Sequence, residues 1–306
     1  MAKNKSKNIK IHETMGDRLL NWITAFILIM VTIIVGYPLL YVISCSVSSS
    51  KALEAGLVIL WPVDFSLEAY DFVLAYKDVW VGFRNSVFYC VCDVLFQMTC
   101  TIMVAYPLSR SYCQGRMFYT MFFYLTTRLS AGLIPVFILK CSLGLFDNVW
   151  AVLLSGAIGI SHILILRTAI RSSIPSELHD AAMIDGANHF QTVFKLVVPL
   201  TKATLSVLTL YCIVGQWNEY FTSMIYLRDK KFYPLQLVLR PIMTAASMAG
   251  QVDVGNMAGS YQQQADQGLE NVRYALIIIS STPIVIAYFI VQKYFKGGVM
   301  MGSVKG

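Results

Sequence analysis

Residues 19–50 read LLNWITAFILIMVTIIVGYPLLYVISCSVSSS and contain no Asp, Glu, Lys or Arg. The hydrocarbon core of a bilayer is about 30 Å thick, and about 20 helical residues cross it. This stretch is therefore long enough to form one membrane span. Because it is continuously apolar rather than alternating, it predicts a helix and not a strand of a membrane barrel.

Five further apolar stretches follow along the chain, and the centre of each contains at most one charged residue. The charged residues concerned are Asp93, Arg128 and Glu219. The sequence thus predicts an all-α polytopic membrane protein whose transmembrane domain covers 19–295. Six transmembrane helices are expected, over 19–47, 85–109, 117–140, 148–170, 201–227 and 273–295.

The composition agrees with a membrane protein. Of the 306 residues, 57% are hydrophobic and 13% are charged, whereas about 25% of the residues of a soluble domain are charged. The mean hydropathy is +0.61. These values exclude a water-soluble enzyme, a disordered chain and a disulfide-stapled mini-protein. The net charge of +7 does not indicate a nucleic-acid partner, because membrane proteins concentrate Lys and Arg in their cytoplasmic loops.

The distribution of basic residues predicts the orientation in the membrane. The tail 1–18 is rich in Lys, and further basic residues lie between the second and third spans, within 171–199, and near the carboxyl terminus. Basic residues close to span ends mark the cytoplasmic side. Both termini, including the tail 296–306, are therefore expected in the cytoplasm, and the connection 228–272 is expected outside the cell.

The connection 171–199 is too long for a tight turn between helices and too polar to span the membrane. It predicts two short helices. Ser173 or Ser176 can cap the first helix at its amino-terminal end. Glu177 and Asp180 are favourable close to that positively polarised end.

Gly186 permits a sharp turn between the two helices, and Asn188 can cap the second one. Pro199 is expected to end the second helix. Between these points, four apolar side chains occur at positions i, i+3, i+4 and i+7, which predicts one apolar stripe. These side chains are Phe190, Val193, Phe194 and Val197.

An amphipathic hairpin on the cytoplasmic side has two interpretations. A helix that lies flat in the lipid headgroups usually has a polar face rich in Lys and Arg. This hairpin instead carries three acidic residues, Glu177, Asp180 and Asp185, and a single lysine, Lys195. Acidic and apolar residues together favour docking into a groove on a soluble protein.

Within this hairpin, Asp180-Ala181-Ala182, Gly186 and Leu196-x-Val198-Pro199 resemble the EAA loop of ABC importer permeases. The wider stretch from Ile174 to Ala187 resembles the carbohydrate-transporting, MalG-like branch. The Trp217–Tyr220 stretch and the Gly-rich carboxyl-terminal tail resemble the LplC/YtcP subgroup of that branch. Asp180 stands where the family usually has Glu, so the charge is kept on a shorter side chain.

The resemblance implies a transmembrane permease subunit of an ATP-driven importer in the bacterial cell membrane, with an oligosaccharide or a related glycan as its cargo. The implied partners are a second, homologous permease, two cytoplasmic ATPase subunits and an extracellular solute-binding protein. ATP and Mg are expected on the ATPases, and no cofactor is expected on this chain.

In the family the loop is a coupling helix that seats in a cleft of the ATPase. The resemblance therefore assigns ATPase coupling to Glu177, Asp180, Ala181, Ala182, Asp185, Gly186, Phe190, Phe194 and Pro199. It also implies that the tail reaches towards the ATPases through Gly302, Lys305 and Gly306. On physical grounds alone, a frayed cytoplasmic end is an equal interpretation of the tail.

Ionisable side chains inside the bilayer are costly and are therefore functional candidates. Asp93 and Arg128 lie in neighbouring spans and are expected to form an ion pair, because buried charges persist best with a partner. A second group combines aromatic rings, an amide and a carboxylate, which suits a sugar in the transport path. It consists of Trp217, Asn218, Glu219 and Tyr220. An interfacial aromatic belt or a hydrogen bond between subunits is the alternative.

The chain contains no G-x-x-x-x-G-K-[ST] phosphate loop, so it is not expected to hydrolyse ATP itself. No catalytic residue and no metal site are predicted. The rival interpretation is a stand-alone, ion-coupled secondary transporter or channel, which needs paired broken helices or a proton relay within the membrane. Part of the external connection, 246–267, either contacts a solute-binding protein or is disordered.

Overall fold

The structure, a computed structural model, describes residues 14–129, 131–248 and 271–294. These residues form helices joined by turns, with one isolated bridge between Ser48 and Phe65 and no strand in the described ranges. The α-helices are α1 (Met15–Ser46), α2 (Ser50–Glu54), α3 (Glu68–Ala75), α4 (Lys77–Ser109), α5 (Arg116–Thr126), α6 (Leu133–Ser142), α7 (Val149–Gly156), α8 (Ile160–Ser173), α9 (Ser176–Ile184), α10 (His189–Thr192), α11 (Val198–Leu200), α12 (Lys202–Trp217), α13 (Phe221–Tyr226), α14 (Leu235–Met248) and α15 (Val272–Gln292). A π-helical turn covers Val193–Val197, and a 3-10 turn covers Lys230–Phe232.

Within the described residues, four helical stretches are long and apolar enough to cross a membrane. They are α1, α4, α7 together with α8, and α15. The helices His189–Leu200 and Lys202–Trp217 form a fifth candidate if they count as one span, although they meet at an angle of 85°. The predicted class, an all-helical polytopic membrane protein, is confirmed at this level.

The predicted third span, 117–140, is not one continuous helix. α5 ends at Thr126, and α6 begins only at Leu133, after Gly132 with a φ of 80°. Glycine adopts this backbone conformation without the steric cost that a Cβ atom brings. Hydropathy does not reveal the break, because the residues on both sides of it are predominantly apolar.

Three further helix bounds differ from the prediction. The predicted span 148–170 is interrupted between α7, which ends at Gly156, and α8, which begins at Ile160. α12 ends at Trp217, and a turn and the short α13 follow where the prediction continued one helix to residue 227.

α4 begins at Lys77 rather than at residue 85. Asn85 therefore lies inside the helix, and its side-chain nitrogen donates hydrogen bonds to the carbonyl oxygens of Lys231 and Tyr233, at 2.8 and 3.0 Å.

α4 is the central helix of the bundle and packs against α8, α12 and α14. One part of it belongs to a buried apolar cluster with Trp217 and Leu276. Its carboxyl-terminal end belongs to a second cluster with Ile170 and Val197. α1 packs against α15 and is otherwise exposed, with Ser44–Ser46 as its buried residues. The bundle is therefore organised around α4, and its second cluster extends to the segment 176–200.

Candidate functional site

The segment 176–200 is a helical hairpin, as the sequence predicts. The hairpin turn is made by Gly186, which has a φ of 78°. The amide of Ala187 donates to the carbonyl of Ala182 at 2.9 Å, and the amide of Gly186 donates to that of Met183 at 3.0 Å. This bond pattern is that of a Schellman motif, which satisfies the free carbonyl groups at a helix end. The predicted glycine turn is confirmed.

The two helix starts differ in how they are capped. Asn188 and Gln191 form a reciprocal capping box, with hydrogen bonds of 2.8 and 3.0 Å. The predicted Asn188 cap is therefore confirmed. The predicted cap of the first helix by Ser173 or Ser176 is wrong. Pro175 occupies the cap position, and no side chain caps the helix there.

The second helical segment of the hairpin ends at Leu200, one residue beyond the predicted end at Pro199. The chain turns sharply after it. Pro199 lacks an amide hydrogen, and the π-helical turn lies directly before α11. Thr201 then follows, with its amide and its hydroxyl group both donating to the carbonyl of Val197, at 2.9 and 2.7 Å. The next helix, α12, leaves at an angle of 85°. The hairpin and α12 are thus joined by one fixed bend at Thr201.

The predicted single apolar stripe is found in part. Phe190, Val193 and Phe194 line one surface groove, whereas Val197 is buried in the bundle beside Val193. Phe190 and Phe194 are 71% and 66% exposed, so the stripe has an exposed edge and a buried edge. The two phenylalanines line a mostly apolar surface groove of about 430 Å³, together with Thr99, Ile102, Met103, Tyr106, Pro107, Tyr112, His189 and Val193.

The polar residues of α9 divide into an exposed face and one buried anchor. Glu177, Asp180 and Asp185 are exposed. His179 is 3% exposed, and neither of its ring nitrogens has a hydrogen-bond partner among the described residues. Its ring lies 6.0 Å from that of Tyr106 in α4. Burial, followed by the positive charge of Arg110, lowers the pKa of His179 to about 4.

His179 is thus a neutral side chain that holds α9 against the end of α4. This role of His179 was not predicted, because a histidine among acidic residues resembles a solvated position. Only the structure shows that His179 and Ala182, three residues apart, lie on the less exposed side of α9.

A polar cavity of about 340 Å³ lies in the bundle beside α4. It is located where the end of α7, the start of α8 and the end of α12 come together. Its lining residues are Asp93, Gln97, Val152, Ser155, Gly156, His162, Tyr211, Cys212, Gly215, Gln216, Glu219 and Thr222. We call this space the midspan cavity.

Residues 217–220 were predicted to line the transport path, and Glu219 is the one of the four that lines the midspan cavity. One of its carboxylate oxygens accepts a 2.6 Å hydrogen bond from the amide of Thr222. Trp217 is buried and donates to the carbonyl of Ser280, which makes it a packing residue. Asn218 is exposed, and the guanidinium of Arg240 lies 4.5 Å from the ring centre of Tyr220.

The predicted ion pair between Asp93 and Arg128 is wrong. Arg128 is exposed in the break after α5 and donates to the hydroxyl of Tyr124 at 3.2 Å. Asp93 is 3% exposed and lines the midspan cavity. In the described part of the chain, the observed salt bridge joins Lys231 and Asp229 instead. Gly302, Lys305, Gly306 and residues 249–267 of the external connection lie outside the described residues.

Residues 96–300 match the family model of the binding-protein-dependent transport system inner membrane component. The chain belongs to this family. It is 34% identical over 295 residues to the polygalacturonan/rhamnogalacturonan transport system permease protein YtcP of Bacillus subtilis, covering 95% of this chain and 100% of that protein. It is 29% identical to Protein LplC of the same organism, over 97% of this chain and 98% of that one.

A solved structure supports the same family. The chain matches a subunit of a bacterial ABC transporter involved in the import of the acidic polysaccharide alginate, with a TM-score of 0.80 and 32% identity. The match covers 93% of this chain and 99% of the other. The chain is therefore a multi-pass permease subunit of an ABC importer in the cell membrane. In such importers, separate ATPase subunits hydrolyse ATP.

Proposed function

We propose that this permease imports an oligosaccharide or a related glycan, which an extracellular solute-binding protein delivers. A second, homologous permease completes the path, and two cytoplasmic ATPase subunits bind ATP and Mg and hydrolyse the ATP. The chain crosses the membrane six times with both termini in the cytoplasm. The names of the similar proteins support the cargo class, since YtcP is named for polygalacturonan and rhamnogalacturonan transport.

We further propose that α9 is the surface on which an ATPase docks. The observation behind this proposal is the combination of an exposed acidic face with a rigid attachment. Glu177, Asp180 and Asp185 are exposed, while His179 is buried against Tyr106 of α4. An exposed acidic surface attracts a basic groove and guides its approach.

The connection from α9 to the bundle suits the transmission of movement. The Gly186 turn and the Asn188 capping box join α9 firmly to the second helix. Val193 and Val197 pack into the cluster that contains Ile170 of α8. The bend at Thr201 then leads directly into α12. Displacement of α9 by the ATPases therefore moves α4, α8 and α12 together, and these helices have two arrangements in the inward- and outward-facing importer.

The remaining assigned residues have roles that follow from this geometry. The docking surface has small residues at Ala181, Ala182 and Gly186. Because their side chains do not protrude, a groove of the ATPase can approach the backbone of α9 closely. Phe190 and Phe194 present an apolar wall beside it, and Pro199 fixes the approach to the bend. The tail residues Gly302, Lys305 and Gly306 extend towards the ATPases. Glu219 faces the cargo path from the midspan cavity.

The test is co-purification followed by uptake in proteoliposomes. The importer is assembled from this chain, its partner permease, the ATPases and the solute-binding protein. The cargo panel contains trigalacturonate, its methyl ester, trimannuronate and maltotriose. Asp180→Arg is expected to abolish co-elution of the ATPases and ATP-driven uptake, because it reverses the charge of the docking surface.

The matched control is Glu54→Arg, which reverses an exposed carboxylate at the end of α2, on the opposite side in the proposed topology. It is expected to leave co-elution intact. Retention of the ATPases by the Asp180→Arg variant contradicts the docking role of α9. Failure of the wild-type importer to move any panel member contradicts the proposed glycan cargo.

A further inference from the structure

The midspan cavity lies where two interrupted helical paths face α4. The path of α7 and α8 is broken after Gly156, and that of α12 and α13 is broken after Trp217. At membrane depth, non-helical backbone is tolerated where it is buried in protein or lines a cavity. Broken helices near the bilayer midplane commonly form the binding sites of transporters. Asp93 is at the middle of α4, which runs from Lys77 to Ser109, so the cavity beside it lies halfway along this helix, where such a site is expected.

Asp93 is the unusual residue of the midspan cavity. Its side chain is 3% exposed, and its Oδ1 atom has no hydrogen-bond partner among the described residues. Gly156 makes room for it, because a Cβ atom at that position would collide with Oδ1. A buried acceptor without a partner costs free energy, and an ionisable group at this depth is a functional candidate. Oδ1 packs against Gly156 and is closed to the cavity. Asp93 nevertheless lines the cavity, and its other carboxylate oxygen, Oδ2, is the acceptor available to a ligand that donates a hydrogen bond.

The neighbouring polar groups are already held in place. Gln97 donates to the carbonyl of Gly156 at 2.7 Å, and its side-chain oxygen contacts His162 Nδ1 at 3.1 Å and Cys212 Sγ. The ring of His162 stacks on that of Tyr211, with 6.4 Å between ring centres and 15° between ring planes. Such fixed polar groups beside an aromatic ring give a pre-organised site.

The chemistry of the lining narrows the class of ligand. The described residues contain no group of three or more His, Cys, Asp and Glu that could hold a metal ion. Asp93 and Glu219 both line the cavity, so a ligand carboxylate would meet two groups of its own charge at low dielectric. Hydroxyl groups, by contrast, donate to carboxylates and accept from amide, imidazole and phenol groups. The lining thus suits an uncharged ligand with many hydroxyl groups.

We propose that this subunit itself holds one uncharged sugar ring of the cargo in the midspan cavity, with Oδ2 of the Asp93 carboxylate accepting a hydrogen bond from a ring hydroxyl. This proposal rests on the proposed glycan cargo. A cargo that alternates charged and uncharged rings, as a rhamnogalacturonan does, places an uncharged ring here while its uronates lie elsewhere in the path. Asp93 thereby selects which sugar ring of the glycan occupies the midspan cavity.

The experiment uses the complete importer in proteoliposomes with the same four-member panel. Asp93→Asn keeps the shape of the side chain but removes its charge. We expect it to lower the uptake of maltotriose and methyl-esterified trigalacturonate about tenfold at sub-saturating solute-binding protein, since the neutral amide oxygen of Asn accepts a hydrogen bond roughly half as strong as one to a carboxylate. Uptake of the free uronates is expected to change less, so the ratio of ester to acid falls. The wild type and the Asp93→Asn variant are assayed with the same solute-binding protein. The preference of that protein for one cargo therefore affects both ester-to-acid ratios equally.

The control is Asp229→Asn, which alters an exposed carboxylate paired with Lys231. It is expected to leave every uptake rate unchanged, and basal ATPase activity is expected to be the same in all variants. Equal losses for charged and uncharged cargo indicate a structural role for Asp93 and overturn the proposal. So does an unchanged uptake pattern, or a wild-type importer that moves only the free uronates. If the wild type moves no panel member, the proposed cargo fails, and this assignment fails with it.

Discussion

The hairpin 176–200 and the midspan cavity are built in opposite ways. The hairpin is made of residues that are neighbours in the sequence, and its turn and second cap depend on Gly186 and Asn188. The cavity combines Asp93 of α4, His162 of α8 and Glu219 beyond α12. Local sequence signals therefore determine the hairpin, whereas the cavity depends on the packing of distant helices. Changes in the two regions should impair transport by different routes.

The largest effect is expected from filling the cavity. In Gly156→Ala, the new methyl group collides with the carboxylate of Asp93, and overpacking of this kind costs about 1–3 kcal/mol. We expect a lower thermal unfolding temperature of the purified importer together with a loss of uptake. Co-elution of the ATPases should persist, because α9 is untouched.

Gly215→Ala is the matched control for this substitution. Gly215 also lines the cavity, but a Cβ atom there meets nothing within 4 Å. Its unfolding temperature should not fall, because the space is open. If both alanine variants behave alike, close packing of Gly156 against Asp93 is not what shapes the cavity.

A somewhat smaller effect is expected from straining the hairpin turn. Gly186→Ala places a Cβ atom at a φ of 78°, which costs about 1–2 kcal/mol for an L-residue. We expect α9 to lose its fixed position, so that the loaded solute-binding protein stimulates ATP hydrolysis about tenfold less. The bundle itself should remain folded, as judged by an unfolding temperature close to that of the wild type. Full stimulation of ATP hydrolysis in this variant would show that coupling tolerates a displaced α9.

The smallest effect is a dependence on pH. The pKa of His179 is lowered from its ordinary value to about 4, mainly because the side chain is buried. Its unfolded form therefore takes up a proton first as the pH falls, so folding stability decreases between about pH 6.5 and pH 4. The groups that face His179 are Arg110, Asp180 and Tyr106.

His179→Gln removes this titration. We expect the unfolding temperature of the wild-type chain to fall more steeply than that of the variant between pH 6.5 and pH 5, with equal slopes above pH 7. Parallel curves over the whole range would mean that His179 is not buried in its neutral form.

The features that could be predicted from the sequence are those with a local cause. The apolar stretches, the Gly186 turn and the Asn188 cap each depend on neighbouring residues, and they are found in the structure. The break before Gly132 and the π-helical turn at Val193–Val197 were not predicted. Hydropathy and helical periodicity average over such local changes of backbone, and both therefore gave continuous helices.

The Asp93–Arg128 pair failed for a related reason. Two charges in adjacent spans were expected to face each other, but Arg128 is exposed and donates to Tyr124, four residues before it, while Asp93 is buried. The group 217–220 was expected to act together because its members are adjacent. Instead, Trp217 is buried in packing while Glu219 faces the cavity. Which residues share a cavity depends on helix ends and rotations, and these follow from tertiary packing.

The central claim is that α9 docks directly on an ATPase subunit. The most direct measurement places a photo-crosslinking amino acid at Met183, which is exposed on α9, and at Gln114, which is exposed in the loop between α4 and α5. After illumination of the assembled importer, the account predicts a crosslink to an ATPase subunit from position 183 and none from position 114. Crosslinking of position 183 to lipid alone, with no ATPase adduct, would contradict it.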